Sequence, residues 1–346
     1  MKKLILLLAI LSCLSVPASA IEVTAPLVPE SGEELMPKRA ETFAQGLTEL
    51  LQDAMKRLLP DLAQASKSCT AIAAIVLCVS ILQSFSGSVR STAELSGCIA
   101  SATLLLGGTN SLVNLGTQTV TELSEYGKLL LPVMTTALAA QGGVTASTAI
   151  YAGTAVFDNV LCTLISRLMV PLVYLFLALA VANSAVGEEL LKKSRDFIKW
   201  LMTWCLKIIL YVFTGYMGIT GVVSGTTDAA ALKAAKITIS GAVPVVGGIL
   251  SDASEAVLVS AGLVKNTAGI YGILAILAVF LGPFLKIGAH YLMLKLTAAV
   301  CGLFGSKRIT ELIGDFSSAM GLVLAMTGSV CLLQLISAVC FLKGVA

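Results

Sequence analysis

A lone histidine, His290, follows Lys286 by four residues in otherwise apolar sequence. On a helix that spacing puts both side chains on one face, where a cation and a titratable ring could line a polar path or hold an acidic partner. Asp158, Asn159 and Arg167 interrupt another apolar stretch, and Asp252 and Glu255 a third. Asp158 and Arg167 are too far apart to be neighbours on one helical face. A charge inside an apolar span costs about 3 kcal/mol on insertion scales, so such residues are expected to face protein or a water-filled cavity. The competing reading places Lys286 and Lys295 near helix ends, with their ammonium groups snorkelling to the interface. In the same reading Asp252 and Glu255 solvate a helix start, where the dipole favours carboxylates.

Enzyme chemistry is poorly provided for. The chain has no G-x-S-x-G, H-E-x-x-H or phosphate-binding glycine loop, and His290 has no evident partner for base catalysis. Nine cysteines are scattered singly, without a C-x-x-C, so they read as small apolar side chains and not as a metal or disulfide set. No cofactor and no metal is expected. The net charge of +3 comes without a basic run, which argues against nucleic-acid binding.

The elements that must position these residues are membrane helices. Of 346 residues, 57% are hydrophobic and 12% charged, a balance that needs lipid around it. Lys2 and Lys3, the apolar run to Leu14 and Ala18-Ser19-Ala20 predict a signal peptide over 1–20. Residues 21–68 then form an exported segment. In it, Phe43, Leu47, Leu50, Leu51, Met55, Leu58 and Leu59 predict an amphipathic helix over about 39–59 that lies on a membrane surface or a partner.

Residues 69–346 read as one all-α, polytopic membrane domain of six to eight transmembrane helices. Uncharged stretches fall at 68–89, 95–121, 129–157, 168–187, 208–227, 237–251, 266–285 and 316–342. Pro132, Gly142 and Gly143 interrupt the third, and Pro244, Gly247 and Gly248 the sixth. These broken segments are expected to be re-entrant or bent, which a membrane tolerates where protein or water covers the freed backbone.

With both broken segments re-entrant, six spans place Arg90, the cluster Lys192, Lys193, Arg195 and Lys199, and Lys307 with Arg308 inside, and Glu122 with Glu125 outside. That satisfies the positive-inside rule, with Lys233, Lys236 and Lys265 as exceptions. An offset of 112 residues aligns Pro132 with Pro244, Pro171 with Pro283, and Ser194-Arg195 with Ser306-Lys307. It defines candidate repeat units over about 129–224 and 241–342, of the kind secondary transporters use; chance spacing is the other reading. Gly215, Gly218, Gly221 and Gly225 predict close helix packing, within the chain or between copies.

The stretch from Gly241 to Gly272, with Pro244-Val245-Val246-Gly247-Gly248 at its most specific point, resembles the stage III sporulation protein AE family of endospore-forming bacteria. The likeness extends to the signal peptide, Lys56-Arg57-Leu58-Leu59-Pro60, Leu130-Leu131-Pro132 and Gly282-Pro283-Phe284-Leu285-Lys286. It implies a membrane component of the channel joining mother cell and forespore, in the membrane the mother cell draws around the forespore. Implied partners are the other stage III sporulation A proteins and, through them, stage II sporulation protein Q. It supplies no catalytic residues. A different class of function, an autonomous secondary transporter, is suggested by the 112-residue offset and by Lys286 and His290.

Overall fold

The computed structural model describes residues 26–37, 43–83, 87–140, 144–219, 267–304 and 307–343. The signal peptide, Gly142, Gly143, Gly221, Gly225 and the whole segment carrying Pro244, Gly247, Gly248, Asp252 and Glu255 lie outside the described residues. All described regular structure is helical. A single turn, α1 (Glu30–Glu33), precedes α2 (Phe43–Gln83) and α3 (Gly87–Ala140). Then come α4 (Val144–Leu164), a π-turn (Ile165–Met169), α5 (Val170–Val186) and α6 (Glu189–Ile219). Helices α7 (Thr267–Phe304) and α8 (Lys307–Lys343) complete the bundle.

Counting α4, the π-turn and α5 as one rod, six helices are long and apolar enough to cross a membrane. They are longer than crossing requires. The 54 residues of α3 reach about 80 Å at 1.5 Å per residue, against about 30 Å of bilayer core. Within the stretch 129–157, α3 runs through Pro132 to Ala140, and α4 starts at Val144. A helix survives an internal proline at the loss of one backbone hydrogen bond, and α3 is unbroken at Pro132.

The amphipathic segment belongs to α2, which passes through Pro60 into the first apolar stretch without a break. Part of its apolar face is spent within the chain. Phe43, Leu50 and Ala54 are buried, and α2 packs along α7. Leu51, Met55 and Leu59 remain exposed. The α1 turn braces this region: Gly32 lies against Val279 of α7, Ser31 bonds Glu122 of α3, and Glu34 pairs with Arg57 of α2.

Helix α8 occupies the centre, packed by α3, α4, α5, α6 and α7. Close approach on its α3 side depends on glycine, because a Cβ at Gly127 would overlap the Gln334 amide. At one end, Gly187 turns the chain from α5 into α6 with φ +80°, a conformation that L side chains rarely adopt. Arg308, at the start of α8, packs on Gly187 and donates to the Ala185 carbonyl at 3.4 Å. The 112-residue offset carries this turn at 187–188 to 299–300, inside α7, while the α7–α8 junction lies at 305–306.

Candidate functional site

Three polar clusters lie within the apolar bundle. The deepest is built from α3, α4 and α8. Thr154 and Asp158 are one turn apart on α4, and Gln334 and Ser337 one turn apart on α8, so each pair shares a face. Ser124 Oγ donates to Asp158 Oδ2 at 2.6 Å, and Gln334 Nε2 donates to Oδ1 at 2.9 Å. The Thr154 and Ser337 hydroxyls meet at 2.7 Å. All five side chains are buried, Asp158 at 2% exposure, and no ion pair reaches Asp158 among the described residues. A buried carboxylate needs hydrogen bonds, a proton or a cation, because an isolated charge in so apolar a setting is costly.

The second cluster ties α6 to α8 near the α5–α6 turn. Arg195 Nη1 lies 2.5 Å from Asp315 Oδ2, and its Nη2 lies 2.9 Å from Asp196 Oδ1. One turn further, Lys199 Nζ donates to Ser318 Oγ at 3.0 Å. Beside it, a polar cavity of about 320 Å³ is lined by Glu94, Asn183, Gly187, Lys192, Arg308 and Glu311. The loops that the positive-inside argument groups together therefore share one end of the bundle.

The third cluster contains the pair singled out by spacing. Lys286 and His290 lie one turn apart on α7, and each has its own contact. Lys286 Nζ pairs with Asp61 of α2 at 2.9 Å, and His290 Nδ1 lies 3.0 Å from the Lys286 carbonyl of its own helix. Arg167 is exposed within the π-turn, away from Asp158. Gly215 and Gly218 are also exposed, with nothing among the described residues within 4 Å of where a Cβ would stand.

Sequence reasoning selected Asp158 but missed everything that holds it. Gln334 was the available signal, as a lone amide in the uncharged run 316–342. Asp315 stands immediately before that run and was not singled out. Ser124, Thr154 and Ser337 carry no signal of their own, since hydroxyl residues are common in apolar helices and usually bond their own backbone. Among the described residues there is no group of three or more His, Cys, Asp or Glu side chains placed to hold a metal ion.

The family model for stage III sporulation protein AE matches residues 33–343, which takes in all six long helices. A stage III sporulation protein AE from Bacillus subtilis (strain 168) is 22% identical over 234 residues. That alignment covers 68% of this chain and spans 59% of the relative's length. No solved structure matches. Matched from the α1 turn to the last residue of α8, the chain belongs to the stage III sporulation protein AE family.

Proposed function

We propose that this protein is a non-enzymatic membrane subunit of the channel or export apparatus that joins mother cell and engulfed forespore. In that role it is required for endospore formation and for late gene expression in the forespore. The observation that carries the reading is the family match over residues 33–343. The six-helix bundle supports it, as a multi-pass scaffold whose polar clusters hold helices together.

In this reading the protein sits in the mother-cell-derived membrane around the forespore. The end carrying Lys192, Lys307 and Arg308 faces the mother-cell cytoplasm, in keeping with the positive-inside rule. The end braced by α1 faces the intermembrane space. The exposed stripe Leu51, Met55 and Leu59 on α2 is available there to the other stage III sporulation A proteins and, through them, to stage II sporulation protein Q.

Deletion of the gene in its own spore-forming host tests the proposal. Normal vegetative growth, arrest after engulfment and failure of late forespore gene expression are the expected outcome. A growth or uptake defect with normal spores would overturn it in favour of an autonomous transporter.

A further inference from the structure

The deepest polar cluster contains more than a packing contact requires. Asp158 is the one buried acid among the described residues that has no ion-pair partner; Asp315, the other acid drawn into the bundle, has Arg195. Its two partners can each act in either sense. The Ser124 hydroxyl donates or accepts by rotating, and the Gln334 amide does so by flipping its oxygen and nitrogen. A carboxylate there accepts from both. A neutral acid donates its own proton to one and accepts from the other. The cluster therefore satisfies the ionised and the protonated forms without moving a helix.

The described surroundings hold few ionisable groups. From α4 itself, the titratable neighbour is Cys162, whose sulfur lies 4.0 Å from Oδ1. From α8, Gln334 and Ser337 are not ionisable at working pH. From α6, Phe213 and Tyr216 pack on Phe157, and the Tyr216 hydroxyl is committed to the Ala149 carbonyl at 2.8 Å. From α3, Lys128 is exposed one turn beyond Ser124 and forms no ion pair with Asp158. Among the described residues, nothing packed against α4 supplies a full compensating charge at contact distance.

We propose that Asp158 is a reversible proton-binding site at the centre of the bundle, held as the neutral acid between Ser124 and Gln334 and deprotonated during the working cycle. The ligand is a proton taken from and returned to water, with no other reactant. Ionisation leaves an uncompensated charge where α3, α4 and α8 meet, and so biases that junction toward opening to water.

Infrared difference spectroscopy on the reconstituted full chain, with isotope-labelled aspartate, tests the resting state. The expected result is a carboxylic-acid carbonyl band at neutral pH. It shifts with the label and with deuterium, is lost on alkaline titration, and is absent from Asp158→Asn. Absence of that band in the wild type, at every pH where helix content is intact, would overturn the proposal. Asp158→Asn mimics the permanently neutral acid and keeps both hydrogen bonds, so it is expected to reach wild-type levels in the membrane and lose heat-resistant spores. Wild-type sporulation by that variant would overturn the working-cycle half and make the proton a fixed structural element. The spectroscopic result does not depend on which complex the chain serves, so failure of the proposed function would be seen separately.

Discussion

Helices α6 and α8 are built from similar stock, apolar residues with a charged first turn or two, and both would be read as membrane spans. Their surroundings are opposite. In α8, 94% of the most apolar window is buried inside the protein; in α6 the figure is 28%. Helix α8 turns Thr327, Ser329, Gln334 and Ser337 into the bundle, the first two donating to backbone carbonyls of α8 itself and the last two meeting Asp158 and Thr154 of α4. Helix α6 turns Phe197, Trp200 and Trp204 outward, stacked with ring centroids 5.9 and 5.8 Å apart. Lipid tails and a protein interior are equally apolar, so hydropathy does not distinguish the two. Where the small polar groups and the large aromatic ones point does distinguish them.

That contrast can be broken by substitution, with unfolding of the purified full chain in detergent as the measurement. Phe316→Ala, in the fully buried face of α8, is expected to cost the most, about 3–5 kcal/mol. Arg195→Leu leaves the half-buried Asp315 without its guanidinium and is expected to cost about 3 kcal/mol, the lower end for broken buried pairs. Gly127→Ala pushes a methyl group into the Gln334 amide and is expected to cost about 1–3 kcal/mol. Smallest of all, Trp200→Leu and Gly215→Ala on the outer face of α6 should stay within about 0.5 kcal/mol. If Trp200→Leu rivals Phe316→Ala, the outer face of α6 is covered in solution and the contrast between the helices fails.

The class of fold was legible because its signal is compositional: long neutral stretches punctuated by charge specify membrane helices whatever their arrangement. The lengths were not. Charged residues such as Asp61, Glu122 and Lys128 mark the end of an apolar stretch, yet the helices continue through them, since glutamate and lysine are good helix formers and proline costs only one turn. In the candidate site, Asp158 was legible as an anomaly in apolar sequence. Its partners come from positions 34 residues before and 176 residues after it, and no local pattern links them. Lys286 and His290 show the converse: correct spacing placed them on one face, but the acid that takes up Lys286 sits on α2.

The π-turn at Ile165–Met169 works as a phase key for the whole rod. A π-turn holds about one residue more than an α-turn, and one residue is about 100° of rotation. Helices α4 and α5 both lie along α8, and the turn sets the angular offset between the two faces they present to it. Removing one residue there would leave α5 seated and swing the Thr154–Asp158 face off Gln334 and Ser337. The spare residue is thus what keeps two halves of a long rod meshed with one shaft.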